Sequence, residues 1–453
     1  MVGGKPASTA NSRRTYLKTA GAVGVAGLAG CLGLGGGDGG GSDTDEYKGA
    51  KITFATSSLY TEAWQDLAKK FERDHDVTIE VTSYAQSEML SKLQNQLRSR
   101  QASFDAFISD VIWTGSLMDP EFVEPLGDYL NNSNLGTSNY AYDDHLDIFA
   151  QSYGQWNGTK YGLPWYGDIM DLTVRKDVLE KHAKEYKRKH DEEILPPFPK
   201  GYENYAHFNR VAKFMHDKGW PMGLEGKRGW NLVYYYPNRF AAETGQQRML
   251  TEDGKSRLDE DGAVKGLEQM LKQKEWALNP LSTGYTQSRD QFLSGKTWAV
   301  EQWGTATKKF VDKYGWEDGV RVTLTPGGYP NLGGWGILIN SFSDQKRKNA
   351  AFVFAQWATS KEMDKYAYKQ HGVTPTRASS YTKQIKKKFP QARYYDPEEN
   401  QGIRTPSLRP RNPKYQRLGD AMQVQISQSL SGGPGAEQTM KNLHKKWQNI
   451  MSE

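Results

Sequence analysis

The chain has 453 residues, of which 37% are hydrophobic and 25% charged, and this length favours two lobes or domains in a soluble protein. Its single cysteine excludes an internal disulfide framework and any zinc or iron–sulfur site built on cysteines. Four of the six net positive charges lie in residues 1–30, which hold no acidic residue. The remainder is nearly neutral, so the charge predicts no nucleic-acid partner.

Residues 1–30 have the features of an export signal. Arg13 and Arg14, followed by an aromatic residue, a leucine and a lysine, resemble a twin-arginine signal. The apolar run that follows has about 12 residues, fewer than the roughly 20 that span a bilayer. It ends in Leu-Ala-Gly before Cys31, which resembles a lipobox, so we predict lipidation at Cys31 rather than an incidental cysteine.

Residues 31–49 are rich in Gly, Asp and Ser and are predicted to form a flexible tether, because this composition cannot bury a core. Together with the signal, the tether predicts an extracytoplasmic body. A lipid at Cys31 would anchor that body to the outer face of the cytoplasmic membrane.

The first part of the body alternates between strand and helix patterns. In chain order the predicted elements are a strand at 52–55, a helix at 63–71, a strand at 77–81, a helix at 89–97 and a strand at 104–110. This order predicts a parallel sheet covered by helices, with ligands outside the carboxyl ends of the strands. Those ends are 56–60 and 110–113.

The remainder of the body contains further elements of both kinds, and the predicted fold class is α/β. They are a strand at 170–174, an α/β unit at 257–271, strands at 320–324 and 335–339, a helix at 350–359 and a final helix with an apolar stripe at 440–450.

Short motifs run through the body in a characteristic order. They are FDAF at 104–107, KYGLP at 160–164, LTVRKDV at 172–178, FLSGKT at 292–297, GGWG at 333–336, FAQWATS at 354–360 and GVTPTR at 372–377. In this order and spacing the chain resembles the extracellular solute-binding proteins of ATP-driven (ABC) importers, the family that includes maltose-binding protein, over residues 51–450.

The resemblance implies a two-lobe periplasmic-binding-protein-like fold (type II), with a hinge that the chain crosses three times and a ligand cleft between the lobes. Lobe one would be 50–162 plus 328–373, and lobe two 163–327 plus 374–453. It further implies a monomer that captures a solute and delivers it to the membrane subunits of an importer.

A sugar site combines Trp and Tyr faces with carboxylates, amides and Arg, because sugars present both apolar ring faces and hydroxyl groups. Residues of this kind occupy positions that match cleft-lining segments of the family, which implies a mono- or oligosaccharide ligand. The predicted ligand-binding residues are Tyr60, Asp110, Trp113, Trp165, Tyr166, Asp168, Trp230, Trp303, Trp335 and Arg377. The alternatives are core packing for the tryptophans, a helix cap for Asp110 and a surface ion pair for Arg377. Phosphorylated sugars, polyols, peptides and polyamines remain alternative ligands.

A secreted glycan-active hydrolase and a non-catalytic, lectin-like lipoprotein are the alternatives to a transport protein. A glycosidase needs two carboxyl groups on either side of the scissile bond, and no local pair stands out. The sequence has no His-Glu-x-x-His motif, no Gly-x-Ser-x-Gly elbow and no phosphate loop. We therefore predict a protein with no catalytic residues, no metal and no cofactor.

Overall fold

The computed structural model describes residues 46–136 and 140–453. The predicted signal at 1–30, the lipidation at Cys31 and nearly all of the predicted tether lie outside the described residues. No helix within the described ranges combines the length and the apolar character that a membrane span requires.

The described residues form ten strands and eighteen α-helices, besides four short 3₁₀ helices. The strands are β1 (Ala50–Ser57), β2 (Val77–Tyr84), β3 (Ala106–Asp110), β4 (Gln155–Trp156), β5 (Thr159–Lys160), β6 (Gly162–Tyr166), β7 (Asp171–Arg175), β8 (Ala299–Gln302), β9 (Val320–Thr323) and β10 (Trp335–Ile339). The first nine helices are α1 (Thr61–Asp74), α2 (Gln86–Arg98), α3 (Thr114–Met118), α4 (Gly127–Asn131), α5 (Asp147–Gly154), α6 (Lys176–Glu180), α7 (Ala183–His190), α8 (Tyr205–Asp217) and α9 (Leu232–Thr244). The remainder are α10 (Asp261–Trp276), α11 (Tyr285–Leu293), α12 (Gly304–Tyr314), α13 (Gln345–Ala358), α14 (Lys361–His371), α15 (Lys383–Lys388), α16 (Ala392–Tyr395), α17 (Tyr415–Leu430) and α18 (Ala436–Ser452).

Five strands form the first sheet, in the order β2-β1-β3-β10-β6. Strand β1 pairs in parallel with β2 and β3, as the strand and helix patterns of the first part of the body predict. Strand β10 runs antiparallel to both β3 and β6. The edge strand β6 contains Pro164, which is tolerated there because an edge strand leaves some N–H groups unpaired. We call this sheet and the helices packed on it lobe one.

The second sheet has three strands in the order β8-β7-β9, and β7 is antiparallel to both neighbours. Helices α8, α9, α10, α17 and α18 share a core of buried residues with β7 and β8, and we call this assembly lobe two. The final helix buries Met440, Leu443 and Trp447, which belong to the predicted apolar stripe. The predicted α/β unit at 257–271 is correct for its helix but wrong for its strand. In the described residues, 257–259 form no strand, and isolated bridges at Arg248 and between Leu250 and Ser256 precede α10.

The chain passes between the two lobes three times. It crosses after Tyr166, returns between Thr323 and Trp335, and leaves lobe one again after α14 to reach α17 and α18. The predicted end of lobe one at residue 162 is too early, because β6 pairs with β10 in the first sheet. Leu163, Trp165 and Tyr166 lie in the lobe-one core, which moves this boundary to the residues after Tyr166.

A buried ion pair connects three elements of lobe two. Arg239 of α9 is fully buried, and its Nη1 lies 3.1 Å from Oε2 of Glu301 in β8. Arg239 also donates through Nε to Oε1 of Gln273 in α10, at 2.9 Å. The second carboxylate oxygen of Glu301 accepts a hydrogen bond from the Tyr205 hydroxyl at 2.9 Å. Both charges are therefore compensated, as burial requires.

We expect the Arg239→Met variant to lose about 3–5 kcal/mol of unfolding free energy, because Glu301 is then left buried without its cation. Urea denaturation followed by circular dichroism measures this loss. The matched control is Lys213→Met, which removes the exposed pair with Asp217 and should change the free energy by about 1 kcal/mol or less. Equal, small losses in both variants would contradict the structural role of the buried pair.

Candidate functional site

A cavity lies where the two lobes meet, and together with its open mouth it encloses about 440 Å³. Its lining residues come from the ends of strands and the beginnings of helices in both lobes. They are Leu59, Tyr60, Gln86, Asp110, Asp168, Trp230, Tyr234, Tyr285, Trp303, Thr305, Gly333, Gly334, Trp335 and Arg409. The carboxyl ends of β1 and β3 contribute to it, as the sheet order predicts.

The lobe-one side of the cavity is built at the ends of β3 and β10. In the antiparallel register Trp335 lies opposite Asp110 on one side and opposite Tyr166 on the other. The Tyr60 ring, which precedes α1, packs edge-on against Trp335 with their centroids 5.6 Å apart. The Trp335 indole therefore lies beside the Asp110 carboxyl, which strand pairing sets opposite it, and beside the Tyr60 phenol.

The lobe-two side is an aromatic wall formed by Trp230, Tyr234, Tyr285 and Trp303. The Tyr234 ring lies 5.0 Å from the Trp230 ring and 5.3 Å from the Trp303 ring, measured between centroids. The Tyr285 ring lies 6.2 Å from that of Trp230. Trp230 is 37% exposed, which is unusual for a tryptophan in this fold and places it at the cavity mouth. The wall offers flat apolar faces to a ligand.

Two carboxyl groups and one guanidinium form the polar floor of the cavity. Oδ1 of Asp168 accepts a hydrogen bond from the Gly304 N–H at 3.1 Å. Oδ1 of Asp110 lies 3.5 Å from Nη2 of Arg409, which also donates to the Leu332 carbonyl at 3.2 Å. The floor therefore contains one ion pair, between Asp110 and Arg409, and a second carboxyl group, that of Asp168, which can bond to ligand hydroxyls.

Burial changes the acidity of these carboxyls. It raises the pKa of Asp168 to about 7, and the Gly304 hydrogen bond offsets only part of that effect. It also raises the pKa of Asp110, against the opposing field of Arg409. Just beyond the floor, burial raises the pKa of Asp171 to about 7 and that of Glu225 to about 8, although hydroxyl groups donate to both. Burial therefore favours the protonated form of each of these carboxyls relative to an exposed one.

Two glycines let the backbone approach the aromatic rings. Gly334 has φ of +100°, a left-handed conformation that favours glycine. A Cβ atom there would meet the Tyr153 hydroxyl, and one on Gly333 would lie 2.6 Å from the Trp303 ring. A side chain on Gly333 would displace the Trp303 ring of the lining, and one on Gly334 would displace residues behind it.

Six of the ten predicted site residues line this cavity: Tyr60, Asp110, Asp168, Trp230, Trp303 and Trp335. Three others lie directly behind it. Trp113 packs edge-on against Trp335 at 5.3 Å, and Trp165 packs in the lobe-one core 4.5 Å from Trp64. Tyr166 is fully buried, and its hydroxyl accepts a hydrogen bond from the Thr305 N–H at 3.1 Å. These three residues support the lining rather than form it.

Arg377 is placed away from the cavity, which corrects its predicted position. Its fully buried guanidinium donates to the Thr359 carbonyl at 2.7 Å and to the Ala141 carbonyl at 2.8 Å, and it pairs with Asp144. All of these partners belong to lobe one, so the third crossing lies after Arg377 and not before it. The two carbonyl groups hold Nε and Nη1 of Arg377 within lobe one, and Arg377 is not among the residues that line the cavity.

Several lining residues were not predicted from the sequence. Tyr234 belongs to a run of three tyrosines in α9, a pattern that could have indicated an aromatic surface. Tyr285 begins α11, and Arg409 lies in an irregular segment before α17, where no periodicity marks it. Gln86 and Arg409 each carry a buried polar atom, Oε1 and Nε respectively, without a hydrogen-bond partner among the described residues.

The arrangement combines stacking surfaces with hydrogen-bonding groups of both kinds. Carboxyl oxygens and the Gln86 amide can accept hydrogen bonds, and Arg409 can donate them. Within the described ranges, no three His, Cys, Asp or Glu side chains lie close enough together to hold a metal ion. The site is therefore suited to reversible binding of a small polar molecule with apolar faces.

Comparison with known proteins identifies relatives of the chain. The sequence model of a family described as bacterial extracellular solute-binding protein matches residues 66–392. A Sinorhizobium fredii protein, named a probable amino-acid ABC transporter periplasmic-binding protein, is 23% identical over 334 residues, which cover 70% of each chain. The mannitol-binding protein of Pseudomonas aeruginosa is 24% identical over 415 residues, covering 83% of this chain and 87% of its own.

The fold also matches solved structures. A maltose-bound MalE3 protein of T. maritima superposes with a TM-score of 0.74 at 22% identity, covering 88% of this chain and 100% of that one. At this identity the likeness shows the fold alone. It confirms the predicted α/β, two-lobe, type II periplasmic-binding-protein-like fold.

The buried carboxyls predict that the folded protein loses stability as the pH rises from about 4 to about 8, with no further loss from these groups above that range. Their pKa values are raised by folding, so above the ordinary range near pH 4 the folded state holds protons that the unfolded chain has released. This contribution is present at low pH and is lost as the pH rises through about 7 to 8. Each such carboxyl contributes a slope of up to about 1.4 kcal/mol per pH unit.

Scanning calorimetry across this range tests the prediction with a matched pair of variants. Asp171→Asn should flatten the pH dependence. Asp177→Asn should leave it unchanged, because hydrogen bonds from Arg175 outweigh burial and lower the pKa of Asp177. The buried His145, whose pKa burial lowers well below its usual value, acts in the opposite direction below about pH 6.5, and its contribution is the same in wild type and in both variants. An equal slope in wild type and Asp171→Asn would show that Asp171 does not contribute.

Proposed function

The chain belongs to the bacterial extracellular solute-binding proteins, and we propose that it captures a carbohydrate and delivers it to the membrane subunits of an ABC importer. The ligand would be a mono- or oligosaccharide, or the related class of polyols. It would lie in the cavity between the lobes, on the residues that line it in both lobes.

The composition of the cavity lining carries this proposal. Four aromatic rings of lobe two face Tyr60 and Trp335 of lobe one across a floor of carboxyl and guanidinium groups. Rings of this kind stack on the apolar faces of sugars, and each contributes about 0.5–1.5 kcal/mol beyond its buried area. Two or three stacked rings with several hydrogen bonds would give micromolar affinity, about −8 kcal/mol. The mannitol-binding relative supports the same class of ligand.

The ion pair in the floor favours a neutral ligand. The Asp110 carboxyl lies 3.5 Å from Nη2 of Arg409, which also donates to the Leu332 carbonyl, so an anionic group would meet a guanidinium whose charge is already paired. Asp168, with its pKa of about 7, can present either a carboxylate or a protonated carboxyl to a hydroxyl group. Hydroxyl groups are suited to both forms because they donate and accept.

An amino acid is the second candidate ligand. The Sinorhizobium relative carries that name, and the Asp110–Arg409 pair offers one partner for an ammonium and one for a carboxylate. An amino-acid ligand would have to separate Asp110 from Arg409, so its binding would lose the energy of that ion pair. The ligand assay below distinguishes the two classes.

The proposal includes capture without chemistry, by a monomer that is attached to the membrane through lipid at Cys31. The family supports an extracytoplasmic location and a role with importer subunits. A glycan-active hydrolase stays the alternative, and recovery of unchanged ligand is the observation that separates it from a transport protein.

We expect a sugar or polyol to raise the melting temperature of residues 47–453 and to shift their tryptophan fluorescence saturably. The panel contains D-mannitol, maltose, other sugars and polyols, and L-amino acids. Recovery of the ligand unchanged by chromatography would support capture without catalysis. A response to amino acids alone would favour the second candidate, and a converted glycan would favour a hydrolase.

The Trp230→Ala variant tests the site itself. It removes one exposed ring at the cavity mouth, so we expect binding to weaken by about three- to tenfold. The control is Trp276→Ala at the end of α10, a half-buried residue outside the cavity, which should bind as the wild type does. Equal affinity in Trp230→Ala and wild type would place the ligand elsewhere.

The Cys31→Ser variant tests the anchor. We expect the wild-type protein to remain with the membrane fraction of cells, whereas Cys31→Ser should appear in the soluble extracytoplasmic fraction. Replacing Arg13 and Arg14 with Lys should keep the precursor inside the cell. Unaltered membrane association of Cys31→Ser would contradict lipidation at that residue.

A further inference from the structure

A buried carboxyl group lies directly behind the aromatic wall. Glu225 is fully buried and lines no part of the cavity. The Tyr234 hydroxyl donates to its Oε2, while its Oε1 accepts from Ser288 Oγ at 2.7 Å and from Gln302 Nε2 at 2.8 Å. All three donors are neutral, so the carboxyl is held by hydroxyl and amide groups from three separate elements.

Each of these elements carries one ring of the wall. Tyr234 is itself a wall residue on α9. Ser288 lies one turn beyond Tyr285 on α11, and Gln302 immediately precedes Trp303 at the end of β8. Gln302 Nε2 also contacts Ser288 Oγ at 2.6 Å, which joins α11 to β8.

The fourth ring, that of Trp230, is connected to Glu225 through the backbone carbonyl of Glu225. Asn231, which follows Trp230, donates through Nδ2 to the Glu225 carbonyl at 3.1 Å and to the Lys227 carbonyl at 2.7 Å. The loop that presents Trp230 is therefore closed on Glu225. The side chain and the backbone of this one residue reach all four segments of the wall.

We propose that Glu225 is a positioning residue for ligand binding, which holds Trp230, Tyr234, Tyr285 and Trp303 in one arrangement without touching the ligand. This rests on the proposed function of the cavity. Stacking depends on the relative placement of rings that come from α9 and the loop before it, from α11 and from the end of β8. A single buried acceptor that bonds to three of the segments and anchors the fourth fixes that placement before the ligand arrives.

Three variants separate positioning from general stability. Glu225→Met keeps the length of the side chain but removes both acceptor oxygens from Tyr234, Ser288 and Gln302. Glu225→Gln keeps one acceptor for Ser288 and Gln302 and a polar partner for Tyr234, so it should restore binding. The control, Asp364→Leu, removes another fully hydrogen-bonded buried carboxyl, whose partners Ser380 and Thr376 do not line the cavity.

The first measurement is affinity for D-mannitol and maltose by titration calorimetry. We expect Glu225→Met to bind at least about tenfold more weakly than wild type, which corresponds to about 1.4 kcal/mol. Glu225→Gln and Asp364→Leu should bind close to wild type, although Asp364→Leu loses thermal stability. Wild-type affinity in Glu225→Met would overturn the proposal.

The second measurement needs no ligand. In protein labelled with 5-fluorotryptophan, the fluorine resonance of Trp303, whose neighbour Gln302 loses its acceptor, should shift or broaden in Glu225→Met and stay unchanged in Asp364→Leu. If wild type binds neither D-mannitol nor maltose, the wider ligand panel decides the proposed function, and these spectra alone decide the positioning role. Unchanged resonances in Glu225→Met would overturn it.

Should Glu225→Met fail to fold, Ser288→Ala takes its place. It removes one donor from the network and leaves the cavity lining intact. A shifted or broadened Trp303 resonance and weaker binding support the positioning role. A spectrum and an affinity equal to those of wild type overturn it.

Discussion

Strand β10 is inserted between β3 and β6, and the geometry of the cavity depends on this insertion. The pairing brings residues 335–339 to a strand that ends more than two hundred residues earlier in the chain. It sets Trp335 opposite Asp110 and Tyr166 in register, and a shift of one residue would turn the indole to the other face of the sheet. The same register fixes the Gly333–Gly334 turn against Trp303 of lobe two. The contact between lobes therefore follows from backbone pairing within one of them.

Lobe two meets a different requirement, because its four rings come from separate loops and helix ends rather than from one sheet. Tyrosine hydroxyls on the buried side of such a wall need acceptors, since an unsatisfied buried polar group costs about 1–3 kcal/mol. Glu225 supplies one for Tyr234, and the carboxyl of Asp171 accepts from Tyr395 at 2.9 Å behind the floor. Burying these carboxyls raises their pKa values. The protein is therefore less stable at alkaline pH, where both carboxyls are ionised, than at acidic pH, where they hold their protons.

The sequence predicted the parts of the site that local pattern determines. Tyr60, Asp110 and Trp335 lie at the ends of strands, and hydrophobic alternation locates those ends within a few residues. Tyr285 and Arg409 were missed because their positions depend on how α11 and the segment before α17 pack, which no periodicity encodes. Arg377 was predicted at the cleft from its place in a motif. Its carbonyl partners instead hold it in lobe one, and only the tertiary fold reveals them.

Two of the three groups of the polar floor lie on connections between the lobes, whereas Asp110 belongs to lobe one. Asp168 lies on the first crossing, Gly333 and Gly334 on the second, and Arg409 on the segment that follows the third. A change in the angle between lobes must therefore change the floor itself. A ligand that contacts both aromatic sides and this floor interacts differently with different lobe arrangements, and such a difference is the only means by which a ligand can shift a conformational equilibrium. Binding and closure are thus coupled through the same few residues, with Arg409 bonded to the second crossing at Leu332 and paired with Asp110 of lobe one.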